Sequence, residues 1–381
     1  MHILHIITSL YSGGAQSALC RLCLNDRSNR HTVVTMIGGG ELERKLGDQG
    51  ITVETLGFTR RDGLFKGSLA LWRLLRSHRP DLVQTWMYHP DLIGGLCARL
   101  AGIRHVCWGI RHTALESGRS SRSSILIARL CASLSGMIPA RIVCCAHEAA
   151  RVHEALGYRS DKMVVIPNGY DLSDFYPYVL DDKRCRAFLE ADELHLPILG
   201  MVGRFNAQKD HKNLLRALAE LKSRGVDFRC LLVGADLNAG NEILAEWIDE
   251  LGLQNKIELL GLRSDIPAIM NRLDLHILSS SFGEAFPNVI AEAMACGTPC
   301  VGTDVGDTAM IIGEWGWVVP PRDSLRLADA IHAAIQEREL SPSLWAQRRR
   351  SSAEHIRMHF TIDKMVTAFD NVWSGCMEAR K

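Results

Sequence analysis

The chain has 381 residues, with 44 Lys/Arg against 43 Asp/Glu, 47% hydrophobic and 23% charged residues, 32 Gly and 12 Pro, which excludes disordered and collagen-like chains. At about 100–200 residues per domain, this length favours two domains. The near-zero net charge hides an asymmetry: residues 1–168 carry 21 Lys/Arg and 12 Asp/Glu, whereas 169–381 carry 23 and 31. The basic first half suits phosphate, nucleic acid or an anionic membrane, and charge alone does not choose among them.

The opening MHILHIITSLYSGG lacks a basic leader and turns glycine-rich after about ten residues, the pattern of a first strand and its loop, not of a secretion signal. Short apolar runs then alternate with segments of helical period. Strand-like His2–Thr8 precedes helical Ala15–Leu24, Thr32–Ile37 precedes Glu41–Asp48, Thr52–Leu56 precedes Leu64–Ser77, and Leu82–Trp86 precedes Pro90–Leu100. Val106–Ile110, Ile142–Cys144 and Val164-Val165-Ile166 continue the strands, and Pro167-Asn168-Gly169 punctuates the chain. From Pro197 the pattern restarts, with strands at Ile198–Val202, Cys230–Val233, Ile257–Leu260 and Leu275–Leu278 and helices at Lys212–Arg224 and Glu242–Leu251. A further helix opens near Pro287, and beyond Leu325 amphipathic helix runs to the terminus.

Such alternation predicts parallel βα units, hence an α/β chain of two doubly wound domains facing a cleft. The expected division is a first domain 1–168, a polar connector 169–195, a second domain 196–355 and a C-terminal helix 356–381 able to pack back on the first domain. No apolar run reaches the ~18 residues of a membrane span. The 12 cysteines lie scattered through apolar stretches, which fits buried thiols in a reducing cytoplasm. Cys20 and Cys23 have CxxC spacing without a second pair, so they read as core thiols, and no metal ligands are assigned.

Doubly wound folds bind ligands at the carboxyl ends of their strands, so the strand-to-helix junctions are the places to search. At the first, Gly13-Gly14 precedes a helix whose free N–H groups can meet an anion, although GxGxxG spacing is absent and a tight βα turn reads equally well. In the second domain Arg204 and Lys209 flank the loop after Ile198–Val202, where a forked guanidinium and a point-charge ammonium suit a diphosphate. The richest segment is Phe282–Pro299. Pro287 is expected at the first helical position, which leaves Glu284 in the preceding loop, puts Glu292 inside the helix, and points the N–H groups of Asn288 and Val289 at an anion. Two glutamates able to hold sugar hydroxyls, beside an anion site, fit a nucleotide-sugar. Dipole-favourable charge for Glu284 and a solvated face for Glu292 are the plainer readings.

These residues resemble the GT-B-fold retaining glycosyltransferases of family GT4. Glu284 and Glu292 reproduce the E-x7-E signature, Arg204 and Lys209 the GR…K element, Gly13-Gly14 the N-terminal loop, and Val165–Gly169 the interdomain strand end. The resemblance implies that Arg204 and Lys209 grip the leaving diphosphate, Glu292 binds the ribose, Glu284 contacts the donor sugar, Gly14 approaches the phosphate and His112 faces the donor, with Arg111 a lesser candidate. It implies a retaining reaction on a UDP- or GDP-sugar with no cofactor and no metal, the two cations taking the place of a divalent ion. Ala285 and Asp210 depart from it, standing where many relatives have glycine.

In this family the first domain handles the acceptor. Arg60, Arg61, Lys66, Arg73 and Arg76 interleave there with Phe65, Leu71 and Trp72, so this helix is expected to touch an anionic inner leaflet while also packing on the sheet. Ser117–Arg122 is a second basic stretch suited to an acceptor phosphate. Together these point to a polyprenyl-diphosphate-linked saccharide acceptor, in O-antigen, capsule or exopolysaccharide assembly, and to a cytoplasmic, peripherally bound enzyme. Nucleic acid is not an expected partner, because no reading motif accompanies the cations. A sugar-nucleotide 2-epimerase of the same architecture and a non-catalytic nucleotide-sugar-binding protein are the alternatives.

Overall fold

A computed structural model describes residues 1–11, 13–58, 63–113, 121–178 and 196–378. The chain forms two compact units, one of residues 1–169 with the C-terminal stretch from Ile362, the other of residues 170–361.

The first unit is built on seven parallel strands: β1 (His2–Ile7), β2 (Arg30–Thr35), β3 (Thr52–Thr55), β4 (Leu82–Trp86), β5 (Val106–Ile110), β6 (Arg141–Cys144) and β7 (Met163–Val165), in the order β3-β2-β1-β4-β5-β6-β7. Helices cover both faces of a doubly wound sheet, so its inner strands are buried on both sides and predominantly apolar. Every residue of β1, β4 and β5 is accordingly buried. The two histidines of β1 are tolerated because their ring nitrogens are bonded: His2 to Thr32 Oγ1 at 3.0 Å, and His5 to His31 Nδ1 at 2.9 Å and Trp86 Nε1 at 3.2 Å.

The helices of this unit are α1 (Gly14–Asn25), α2 (Glu41–Gly47), α3 (Gly63–His78), α4 (Gly95–Leu100, entered through a wide π-turn at Pro90–Gly94), α5 (Arg122–Leu134) and α6 (His147–Ala155). In α3 the buried positions Gly63, Gly67, Leu71 and Leu75 recur every four residues and form its inward face. The last helix of the chain packs on α1 and sets Phe369 and Trp373 into the core, where Trp373 Nε1 donates to Gln84 Oε1 at 3.1 Å.

The second unit carries β8 (Ile198–Val202), β9 (Arg229–Val233), β10 (Ile257–Gly261), β11 (Leu275–Leu278), β12 (Cys300–Thr303) and β13 (Trp317–Val319), all parallel, in the order β10-β9-β8-β11-β12-β13. Its helices are α7 (His211–Ser223), α8 (Glu242–Glu250), α9 (Ile266–Arg272), α10 (Asn288–Ala295), α11 (Thr308–Ile312), α12 (Ser324–Leu340) and α13 (Pro342–His359); α14 (Ile362–Glu378) returns the chain to the first unit. Both sheets reverse winding direction once, between β1 and β4 and between β8 and β11, and such a switch point opens a crevice at the strands' carboxyl ends.

Several boundaries differ from expectation. Residues 170–178 of the expected connector belong to the second unit, and 179–195 lie outside the described residues. The second unit runs to Thr361, and the final helix begins at Ile362 instead of residue 356, because α13 continues to His359. The cysteines of the described residues are all free and buried, Cys20 and Cys23 on the inner face of α1. No helix of the described residues is long and apolar enough to cross a membrane.

Candidate active site

In the second unit the two loops that flank the switch point, after β8 and after β11, are tied to each other. Ser281 N–H donates to Gln208 O at 2.8 Å, and Ser279 Oγ donates to Lys209 O at 2.8 Å. This brings together two residues that lie 75 apart in sequence. Lys209 Nζ donates to Glu284 Oε1 at 2.7 Å, and Ser280 Oγ donates to the same oxygen at 2.7 Å. The Glu284 side chain is 9% exposed and that of Lys209 14%.

Burial drives the Glu284 carboxyl upward, but the Lys209 ammonium and the Ser280 and Gln208 donors outweigh it and hold the group below its ordinary value. Glu284 is therefore an ionised, acceptor-rich group, and Lys209 keeps two further N–H donors to direct at a ligand. His211 and His276 border the ammonium, which together with burial depresses their imidazoles to about 4 and about 3. Both are neutral near pH 7.

Arg204 follows β8, is exposed, and makes no ion pair among the described residues. Asp210 caps α7 through a bond from Asn213 N at 3.3 Å, with φ +48. That left-handed conformation explains why glycine suits the position and why aspartate, one of the few other residues that adopt it, can replace it. Ala285 requires no such backbone, since the positive φ of +77 falls on Gly283.

The helix after Glu284 begins one residue later than predicted. Pro287, with φ −72 and ψ 94, is the residue before the helix, and Asn288 is its first. The Asn288 side chain is held by the Tyr170 hydroxyl, which donates to Oδ1 at 2.6 Å. Val289 and Glu292 are half-buried and Glu292 lies at the fifth helical position. From the far side, Gly306 (φ +62) packs on the Glu284 loop so closely that a Cβ would stand 2.4 Å from Glu284 O. The roles of Ser280, Gln208, His211, His276, Tyr170 and Gly306 are absent from the sequence reading. Of these only the glycine before α11 left a local signal there.

In the first unit Gly13 precedes α1 in extended backbone and Gly14 is its first residue, exposed. The glycine triplet after β2 buttresses this loop: a Cβ on Gly40 (φ +126) would stand 2.2 Å from the Leu10 carbonyl carbon. His112 follows β5, half-buried and close enough to His153 to help depress it. Arg111 turns inward, stacking on Trp86 at 4.6 Å and donating from Nη1 to Asn168 Oδ1 at 2.6 Å. It braces the end of the strand run at Pro167-Asn168-Gly169. Lys66, Arg73 and Arg76 are exposed on α3, while Arg60, Arg61 and most of Ser117–Arg122 lie outside the described residues.

One cluster of metal-ligand type exists among the described residues, His5, Cys23 and His31. Its imidazoles are already engaged in a chain from Trp86 through His5 and His31 to Asp26 Oδ2 at 3.2 Å, which accounts for every ring nitrogen. The cluster reads as a hydrogen-bonded core.

Residues 12–174 match the family model described as Glycosyltransferase Family 4, and residues 196–337 the model described as Glycosyl transferases group 1. The chain belongs to the group 1, family 4 glycosyltransferases. The family's architecture is also found in solved structures: HepE of Anabaena, determined with UDP and with UDP-glucose, superposes with TM-scores of 0.85 and 0.83 at 22% identity, over 98% of this chain and 100% of that one. An Escherichia coli relative, UDP-Gal:alpha-D-GlcNAc-diphosphoundecaprenol alpha-1,3-galactosyltransferase, is 26% identical over 282 residues, 72% of each chain. D-inositol 3-phosphate glycosyltransferase of Nocardia farcinica is 32% identical over 203 residues, 51% of this chain and 44% of that one.

Proposed function

We propose that this glycosyltransferase moves a hexose or N-acetylhexosamine from a UDP- or GDP-sugar to a hydroxyl of a polyprenyl-diphosphate-linked saccharide, with retention and without a metal ion, in the assembly of a surface polysaccharide. The observation that carries the proposal is the Lys209–Glu284 pair at the switch point of the second sheet. A cation for the departing diphosphate stands there beside an ionised acceptor for sugar hydroxyls. Arg204 adds a second cation, and the start of α10 at Asn288 and Val289 adds N–H donors. Glu292, further along α10, is assigned the ribose diol. For the first unit we assign substrate contacts to Gly13, Gly14 and His112.

The bond from the anomeric carbon to the diphosphate oxygen breaks as the bond to the acceptor oxygen forms on the same face. The acceptor's proton passes to the leaving phosphate. Lys209 and Arg204 stabilise the charge that develops there, the role a divalent ion would otherwise fill. The UDP complexes of HepE and the undecaprenol-linked substrate named for the Escherichia coli relative support the donor and acceptor classes.

A thermal-shift titration with UDP and GDP in the presence of a chelator tests the donor. Nucleotide at ~100 times its dissociation constant adds roughly 2.7 kcal/mol to stability. We expect one of them to stabilise the wild type and Glu292→Ala to abolish the shift; a shift that survives the substitution overturns the ribose assignment.

We further propose that α3 rests on an anionic leaflet, as befits a lipid-linked acceptor. Phe65 is 80% and Leu64 66% exposed beside Lys66 at its start, with Arg73 and Arg76 further along. Replacing Lys66 and Arg73 with glutamate is expected to reduce co-sedimentation with phosphatidylglycerol vesicles several-fold, and unchanged sedimentation refutes the contact.

A further inference from the structure

The first unit holds a cavity of about 310 Å³ at the amino-terminal ends of β5, β6 and β7, the opposite sheet edge from Gly13-Gly14 and His112. Its wall carries Arg99, Arg104, His105, Arg141 and Lys162, and no carboxylate among the described residues lines it. We infer that this cavity is a binding site for a phosphate or diphosphate group, gripped by Arg104 and Arg141.

The four Arg and Lys groups divide into two layers. Arg99 donates to the carbonyls of Ile138 (2.9 Å), Arg104 (2.9 Å) and Met137 (3.1 Å), and Lys162 donates to those of Gly136 (2.6 Å) and Pro139 (2.8 Å). These two are fixed by backbone, and together they tie down the turn after α5. The nearby carboxylate of Asp161 forms a two-pronged pair with Arg159 at 2.8 and 3.0 Å, and its charge offsets that of Lys162 only in part.

Arg104 and Arg141 are exposed in front of them, and neither pairs with a carboxylate among the described residues. Arg141 spends one N–H on the carbonyl of Ala140 at 3.2 Å and keeps the rest of its fork. Such crowding of like charge is destabilising without an anion, and the neighbouring groups register it. Burial and the surrounding Arg159, Arg99 and Arg141 cations hold Lys162 below its ordinary value despite Asp161. The Cys376 thiol on the cavity wall is lowered by its contact with Cys107 and by Arg141.

Arginine forks match phosphate oxygens two at a time. The cavity is large enough for a diphosphate and too small for a nucleic acid. Its ligand can be a free phosphate compound or the headgroup of a lipid, the latter favoured by Met137, 68% exposed on the rim.

The test titrates inorganic pyrophosphate into the full-length chain by calorimetry and, separately, sediments the chain with phosphatidylcholine vesicles with and without phosphatidylglycerol. The variants are R104E/R141E, the milder R104Q/R141Q, and Arg204→Ala as a control at the other sheet. Pyrophosphate binding that weakens at least about tenfold in R104E/R141E, to a lesser extent in R104Q/R141Q, and persists in Arg204→Ala supports the site with a soluble ligand. Vesicle binding that depends on Arg104 and Arg141 without a pyrophosphate signal supports it with a lipid headgroup. If neither binding depends on these arginines while both variants keep the wild-type melting midpoint, the inference is overturned. UDP binding, measured on the same samples, belongs to the second sheet and reports separately on the proposed function.

Discussion

Replacing Lys209 with methionine is expected to lower both stability and nucleotide affinity, whereas replacing Glu284 with glutamine is expected to spare binding and abolish transfer. The two residues share one hydrogen bond, yet their loss is not equivalent. Without Lys209, the Glu284 carboxylate stays buried without its cation, keeping the Ser280 and Gln208 donors. Removing one partner of a buried pair costs about 3–5 kcal/mol. At roughly 2–4 °C per kcal/mol for a unit of this size, the second unit should melt roughly 6–20 °C lower.

Glu284→Gln keeps an acceptor for Ser280 and for the lysine, so its stability cost is nearer ~1 kcal/mol. It also removes the anion that neutralises Lys209, leaving the full ammonium charge for a diphosphate. UDP should therefore bind the glutamine variant at least as tightly as the wild type, while sugar transfer falls by about 100-fold or more. Paired calorimetry and transfer assays decide the matter. If Glu284→Gln loses UDP as Lys209→Met does, the glutamate serves the diphosphate site and the division of roles proposed above is wrong.

How much of this was readable in the sequence follows from what is local. The βα alternation was legible because both faces of each inner strand are buried: the apolar run His2–Thr8 maps onto β1 at His2–Ile7, and Ile198–Val202 onto β8 without change. Cys300–Thr303 and Trp317–Val319 did not stand out, because Gly302 interrupts the first and Gly316 and the Pro320-Pro321 pair hem in the second. Pro287 was placed one position too far into the helix because its ring satisfies the residue before a helix as well as the first residue within it.

The charged members of the candidate site were visible because cations and carboxylates are conspicuous at a strand-to-helix junction. Their supports were not. Gln208 becomes a partner of Glu284 only because β8 and β11 are neighbours at the switch point, a fact of topology that no local window contains, whereas Ser280 stands four residues from Glu284 and meets it through the fold of their shared loop. The residence of α14 in the first unit likewise rests on contacts such as Trp373 with Gln84, 289 residues apart.

The same burial that shapes the site predicts an uneven response to acid. In the second unit His211 and His276 are held neutral, at about 4 and about 3, by burial and by Lys209. Unfolded, each takes a proton near pH 6.5, so between pH 7.5 and 5.5 the unfolded state binds more protons than the folded one. Stability must then fall as pH falls, by roughly 1.3 kcal/mol per histidine. His355 is lowered by burial and adds to the loss. Glu284 does not offset it, because a lowered carboxylate keeps its contribution until the pH drops further.

The first unit has similar histidines: His5, depressed well below its ordinary value by burial and His31, and His153, at about 4 through burial, with Tyr88 on its Nε2 at 2.7 Å. Burial lowers His2 and His89 as well. Here, however, Asp91 opposes them. Fully buried, with Thr85 and the Gly109 N–H as its partners, it is pushed up to about 8. A carboxyl raised in the folded state burdens stability at neutral pH and relieves that burden as pH falls, returning about 2–3 kcal/mol over the same interval. Asp91 thus offsets the loss from His5 and His153 and leaves that from His2 and His89.

Acidification from pH 7.5 to 5.5 is therefore expected to destabilise residues 170–361 by roughly 2–3 kcal/mol and residues 1–169 by less. Hydrogen exchange followed by mass spectrometry on peptides from each unit reads the two separately. His276→Gln should remove about half of the second unit's response, and Asp91→Asn should expose the acid sensitivity of the first. Equal loss of protection in both units of the wild type would show that the buried carboxyl of Asp91 is ionised in the folded chain.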